Sequence, residues 1–522
     1  MIRVVTADRV VSPTGSTGNS VRIENGRIAA IGSHTDVLSA DVVENTFVGG
    51  TIIAGLRDAH IHAVPYSALL RGCSLKSATT IEDLQNRIVA HARTLPPGAP
   101  VVATRFDDES LSERRLPNRN DLDAAISDRP VVIYRYCGHI AVANSRALAE
   151  SGISSNTVDP DGGAIDRDAH GYPTGVLRET AVGLIAGALA RGGRLSPDDL
   201  LDGLKRLAGL GLTSIGAMIG YGESPSEKLA AEAELWREVA EDLPIKVHGF
   251  VIADTPDQLD HAARTISGAG ERLDWLGVKR FSDGSLGGHT AAMCSPFSDI
   301  DTTGTYRLTP PDAVVARHSL ARGGMVAVHA IGDRAVSGVL DLFQGLIADG
   351  ANPADLRMEH VSVIDLEQIE RFASLGVTAS VQPAFLASEA EWIEQRVGKD
   401  RLGWVYPFRS LLDAGVPMAG SSDSPVEPPH PLWGMAAAMD RYGISTGERL
   451  NGTEALDLFT SGGAAALREP VPLSPGSAAD LVVLDLDPTT ASADEIHDAT
   501  VLETYVDGHP VEVDRSLPTW VD

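Results

Sequence analysis

What most limits the folding of this chain is a series of eight apolar segments rich in β-branched residues. They lie at 51–55, 212–217, 245–252, 276–281, 325–329, 356–361, 377–382 and 416–420, with helix-length stretches between them. Segments of that kind read as strands buried on both faces, and strands joined through helical crossovers run parallel. Stretches such as 197–210 and 311–323 can each hold a crossover helix. The pattern predicts an α/β fold, a (β/α)8 barrel of the TIM type over residues 51–469.

A bare barrel needs about 250 residues, and this chain has 522, 43% of them hydrophobic, so further modules are expected. Both ends read as short strands and turns. Near the start these are 2–7, 20–24 and 27–31 around the Asn25-Gly26 turn; near the finish they are 480–486, 501–506 and 511–513 around Asp507-Gly508. A small β-sandwich built from 1–50 and 470–522 is therefore predicted. The gap after the first barrel strand, about 65–195, is too long for one helix and carries strand-like runs at 100–106 and 130–137. An inserted subdomain over the barrel mouth is expected there.

The formal charge of -28, from 71 acidic against 43 basic residues, argues against nucleic acid or an anionic membrane as the main partner. Cys73, Cys137 and Cys294 are far apart with no CxxC pair, which fits neither a disulfide framework nor a thiolate metal site. The N-terminal MIRVVTADRVVSP has no basic region followed by an apolar run, and no stretch of about 18 apolar residues occurs. A cytoplasmic protein acting on a small molecule is the expectation, and a homodimer is the assembly to expect on general grounds. The Gly-rich pieces GSLGG and SGGAA lack the strand-GxGxxG-helix setting and receive no phosphate role.

Chemistry is concentrated at strand ends. Alternate residues of a strand share a face, so His60 and His62 in Asp58-Ala-His-Ile-His can point together into the barrel and grip one metal, or can be ordinary hydrogen-bonded core residues. His329 closes MVAVH and His360 closes LRMEH, at the C-terminal strand ends where barrels of this kind build their active sites. Asp423 follows VPMAGSS past the eighth strand, and Lys279 lies in GVKRF on the fourth.

The order HxH, Lys, His, His, Asp on strands one, four, five, six and eight resembles the amidohydrolase superfamily. CGHIAVANS, PTGVLRET, GVKRFSDGSLGG, VAVHAIGDRA, RMEHVSVI and GSSDSPV are similar to the branch that holds N-substituted formamide deformylase and YtcJ-type proteins. GSAADLVVLDLDP and TYVDGHPV resemble the closing β-sandwich of many members. The resemblance implies a hydrolase of non-peptide C–N bonds in an amide or N-acyl amine. It makes His60 and His62 ligands of the more buried metal and His329 and His360 ligands of a second. Lys279 would be N-carboxylated and bridge them; a carbamate is an anionic oxygen donor, whereas an ammonium has no lone pair. Asp423 joins the ligands and acts as general base and then acid on a metal-activated water. Zinc suits these donors first, and manganese, iron or cobalt could occupy them.

Other readings stay open. Lys279 could instead be a salt-bridge partner of Asp283 or Asp423, leaving a mononuclear site. His139, Asn144, Glu179, Asp283 and His289 are candidate substrate contacts, His289 standing where the family often has arginine. Asn144 could equally cap the helix starting near Ser145, and Glu179 could be a solvated residue. Trp392, Trp404, Trp433, Phe385 and Tyr406 either line an apolar pocket or pack. A deaminase or cyclic amidase on the same scaffold, and a non-catalytic regulatory or binding protein, are the alternative functions.

Overall fold

The computed structural model describes residues 2–13, 15, 18–38, 42–108, 110–135, 140–160, 163–185, 195–220 and 226–513. Eight parallel strands form one continuous sheet: β1 (Leu56–Ile61), β2 (Leu212–Ile219), β3 (Lys246–Ile252), β4 (Leu273–Phe281), β5 (Met325–Ala330), β6 (Leu356–His360), β7 (Thr378–Val381) and β8 (Met418–Gly420). Each is paired with the next in chain order. The seam between β8 and β1 is joined just beyond β8, where Asp423 N donates to His60 O at 2.8 Å and His62 N donates to Ser424 O at 2.8 Å. This is the (β/α)8 barrel expected from the sequence.

The crossover helices follow from local signals. Pro256–Ile266 starts at Thr255, whose side chain accepts from Gln258 N, and buries Leu259, Ala262, Ala263 and Ile266, one stripe at helical spacing. Leu366–Leu375 opens with a capping box between Asp365 and Gln368 and stops at Gly376, whose φ of 67° no β-branched residue would accept readily.

One strand assignment needs correction. Residues 51–55 are not the first barrel strand: Thr51–Ala54 pairs with Arg9–Val11 and with Leu481–Leu484 in a terminal sheet. The first barrel strand is Leu56–Ile61, and His62 lies one residue beyond it. All six residues of LRDAHI are buried, but Arg57, Asp58 and His60 give the segment the hydropathy of a loop. The closing strand at 511–513 is likewise displaced, to His509–Pro510.

Two sheets from the chain ends share one core. The four-stranded sheet runs Arg27–Gly32, Ser20–Glu24, Ile2–Thr6, Val43–Thr46; the five-stranded sheet runs Arg9–Val11, Thr51–Ala54, Leu481–Leu484, Val501–Val506, His509–Pro510. Val5, Val21, Ile23, Ile52, Leu481 and Tyr505 are among the buried residues between them. These sheets and the barrel belong to one compact unit, and Pro65–Asp199 form another. The second unit holds a six-stranded sheet, in the order Gly163–Arg167, Pro173–Glu179, Ile140–Ala143, Val131–Arg135, Val101–Phe106, Cys73–Ser74.

The barrel interior carries a polar layer near the start of its strands. Glu469 accepts from Arg57 Nε at 2.9 Å and Ser214 Oγ at 2.6 Å, and lies 2.9 Å from His248 Nε2. Among the described residues no helix is long and apolar enough to cross a membrane.

Candidate metal centre

An imidazole binds a metal through a ring nitrogen that carries no proton, so the outward partner of each ring decides which nitrogen faces inward. His60, at the end of β1, meets Glu359 Oε2 through Nδ1 at 2.7 Å. His360, at the end of β6, meets Gln382 Oε1 through Nδ1 at 2.9 Å. Both rings therefore keep Nε2 as the lone pair. His329 on β5 spends Nε2 on Gly284 O at 2.9 Å and lies 3.1 Å from Asp283 Oδ1, which leaves Nδ1.

These rings converge. Donor atoms of His60, His360 and Asp423 all lie within 4.8 Å of one another. His62 Nε2 reaches Asp423 Oδ1 at 3.3 Å, the His329 and His360 ring centres are 4.4 Å apart, and Lys279 Nζ sits 3.3 Å from His60 Nε2. His60 Nε2 also faces Asp423 Oδ1 at 3.2 Å. With Nδ1 committed to Glu359, Nε2 is the nitrogen that His60 turns toward Asp423 and Lys279, so a cation received there would meet an imidazole and a carboxylate donor together. Imidazole nitrogens and a carboxylate oxygen are the donor set of a borderline divalent ion, so the residues present fit one.

The backbone is bent to make this possible. Successive strand residues point to opposite faces, yet Glu359 and His360 both turn toward His60, which their ring and carboxylate contacts require. The break is at the strand end, where His360 has φ 74° and the β-branched Val361 has φ 52°, a costly conformation for both. Asp423 is also left-handed, at φ 56°. Asp58, fully enclosed, accepts from His60 N at 3.1 Å, from Ser422 N at 3.1 Å and from Ser422 Oγ, and so ties β1 to the segment that presents Asp423.

Burial sets the charge states. It lowers His62, and it holds His360 well below the usual imidazole range with His329 adding to the effect; the neutral ring is the form that ligates. Burial brings Lys279 down to about 8, against the upward pull of Glu359 and Asp423. Burial would raise Asp423 and Glu359 as well. The contacts with His60 and His62 outweigh it at Asp423, Arg357 and His60 outweigh it at Glu359, and both stay well below the usual carboxylate range.

The remaining candidates lie elsewhere or behind the rings. Asp283 accepts from Ala292 N, Ile331 N and Gly332 N at 2.8–3.1 Å, so it organises the loops behind His329 and has little left for a substrate. His289 is engaged by Asp299 at 3.1 Å and by Arg396. Asn144 does cap Ser145–Glu150: its Oδ1 accepts from Ala147 N and Val131 N, and its Nδ2 donates to Ile126 O and Arg129 O. That uses its full capacity inside its own unit. His139 lies outside the described residues, as does the side chain of Glu179. Glu359, Gln382, Asp58 and Arg357 escaped the sequence reading. The only written signal was the Arg-Met-Glu-His run, in which a strand places Arg357 and Glu359 on one face.

The sequence matches the amidohydrolase family over residues 48–512. It is 29% identical over 519 residues to YtcJ of Bacillus subtilis (strain 168), across 95% of this chain and 96% of that one. N-substituted formamide deformylase of Arthrobacter pascens is 28% identical over 536 residues, across 96% of each chain. Among solved structures, an uncharacterized metal-dependent hydrolase from Pyrococcus furiosus aligns with a TM-score of 0.75 at 29% identity, covering 94% of this chain and all of that one. The barrel, the histidines at its strand ends and a match through most of the sequence agree: the chain belongs to the amidohydrolase family.

Proposed function

We propose that this chain, a metal-dependent hydrolase of the amidohydrolase superfamily, cleaves the C–N bond of a non-peptide amide or N-acyl amine, with Asp423 as general base and then general acid. The observation that carries the reading is the meeting of His60, His360 and Asp423 donor atoms within 4.8 Å, at the strand ends where barrels of this kind do chemistry. The Arthrobacter pascens relative is by its name a deformylase of N-substituted formamides, and we extend to this chain that class of bond rather than that acyl group.

A divalent ion bound there, zinc first, would supply a Lewis acid that polarises a carbonyl and acidifies a water. His60, His62, His329, His360 and Asp423 are the residues that would hold it. Lys279 would join them as a carbamate. Burial leaves its amine near 8, so part of it is neutral around neutral pH, and the neutral amine is the form that adds carbon dioxide and sheds a proton. Asp423 is ionised, the form in which a carboxylate can take a proton from the attacking water. The same carboxyl then returns the proton to the departing nitrogen, which leaves as the amine.

Protein made with zinc supplied should retain divalent metal and hydrolyse members of a panel of N-formyl and N-acyl amines. Asp423→Asn should keep metal and lose roughly 10²–10⁴-fold in turnover. Protein that holds no divalent metal sinks the reading as a whole. Undiminished turnover in the Asp423→Asn variant removes the role given to that residue, and ammonia release from added cyclic amidines or aminopurines with no turnover of the N-acyl panel favours the deaminase alternative.

A further inference from the structure

His60 is held differently from its neighbours. Its outward partner, Glu359, is a carboxylate with no exposed surface, and that carboxylate is itself gripped from the far side, Arg357 Nε donating to Oε1 at 2.5 Å while His60 Nδ1 meets Oε2 at 2.7 Å. Arg357 is in turn fixed against the Phe250 ring at 4.2 Å and by Ala466 O at 3.3 Å. β1 and β6 are not neighbours in the sheet, so the chain Arg357–Glu359–His60 crosses the barrel interior.

We infer that Glu359, backed by Arg357, is a positioning residue for the metal centre: it fixes His60 as the Nδ1–H tautomer and strengthens Nε2 as a metal donor. The inference rests on the metal-site reading above. Three features carry it. An anionic acceptor on Nδ1–H selects one tautomer and pushes electron density toward the other nitrogen, as carboxylates behind metal-bound histidines do. Arg357 supplies the countercharge that lets a carboxylate remain in a fully enclosed place. The arrangement has no evident value for stability alone, because buried ion pairs are commonly no better than apolar residues of the same volume. An ion pair by itself would also leave Glu359 Oε2 free, whereas here that oxygen is given to a residue of the candidate centre.

The test is zinc affinity of the full chain, stripped of metal and titrated against a competing chromophoric chelator, in wild type, Glu359→Gln and Glu469→Gln. Glu469 is a largely enclosed carboxylate, less so than Glu359, that is paired with Arg57 and touches none of the candidate ligands. Glu359→Gln should bind zinc roughly 10–100-fold more weakly, the usual cost of losing such a partner, while Glu469→Gln should stay within about 3-fold of wild type. Equal affinity in Glu359→Gln and wild type overturns the inference, and so does an equal loss in both variants. Should Glu359→Gln not fold because Arg357 is left uncompensated, the double variant Arg357→Met/Glu359→Gln is measured instead. A 10–100-fold loss there supports the inference and wild-type affinity overturns it. A wild-type chain that binds no zinc overturns the underlying reading together with this inference, whereas tight wild-type binding unchanged by Glu359→Gln overturns this inference alone.

Discussion

Asp58 is the residue on which the two edges of the barrel meet. Burial pushes its carboxyl up to about 6 even though Ser422 and His60 donate to it, so three donors are only just enough to hold an anion in that place. Asparagine offers one acceptor oxygen and turns an amide donor toward groups that are themselves donors. Asp58→Asn should therefore lower stability by about 1–3 kcal/mol in denaturant titration, the cost of leaving buried donors unmatched. Ser422→Ala, which keeps the backbone donor to Asp58 but loses the hydroxyl that donates to Asp58 and accepts from Ser424 N, should cost about 1–2 kcal/mol. Equal stability of Asp58→Asn and wild type would mean that the seam does not depend on this carboxylate. At this scale the centre was half legible. Histidines at C-terminal strand ends announce themselves, because an imidazole in an apolar run needs a reason. Glu359 and Gln382 do not, because what makes them matter is a partner on another strand, and no local pattern encodes which face a residue takes after His360 turns left-handed.

Among elements, the short helix Phe385–Glu389 and the segment around Tyr406 show how loops after the strands are fixed. Tyr406 has φ 48°; its N–H donates to Ser362 O at 2.8 Å, its carbonyl accepts from Arg441 Nη1 at 2.8 Å, and its hydroxyl donates to Glu389 at 2.9 Å. These contacts make Tyr406 a packed residue rather than the wall of an open pocket. Burial, with Glu427 adding to it, pushes Glu389 up to about 8 against the pull of the Tyr406 hydrogen bond. In the unfolded chain this carboxyl titrates near 4.3. The native state therefore holds a proton that the unfolded state has lost, and stability falls as pH rises from that value through about 8, by at most about 1.4 kcal/mol per unit. Glu389→Gln keeps an acceptor for Tyr406 and removes the titration. Its melting temperature should match wild type near pH 4.5 and exceed it near pH 8; parallel curves would show that Glu389 ionises in the folded protein at the same pH as in the unfolded chain. Elements were read well where hydropathy and burial agree, as for β2 to β8. The bounds of β1 were drawn too early, at 51–55, because Arg57, Asp58 and His60 are enclosed, and an interior that binds charge looks like surface in one dimension.

For the molecule as a whole, the residues of the centre matter because of how far apart they lie in sequence. His60 ends β1, Lys279 lies on β4, His329 and His360 are on β5 and β6, and Asp423 follows β8, so an ion held among them links strands from both sides of the seam. None of these contacts exists in the unfolded chain, and binding free energy then adds to folding free energy. Above the dissociation constant each tenfold rise in free zinc should stabilise the barrel unit by about 1.4 kcal/mol, which for a unit of this size is a melting shift of roughly 2 °C per decade. Calorimetry of chelator-treated protein across a zinc series should show that shift, with restoration of the original transition on adding metal back. His60→Ala, which removes one donor and leaves Glu359 without its imidazole, should flatten the dependence as well as lower the starting point. A melting temperature indifferent to zinc in wild type would mean that the converging side chains hold no ion in the native protein. A dependence equal in His60→Ala and wild type would mean that zinc binds somewhere other than at the ends of these strands.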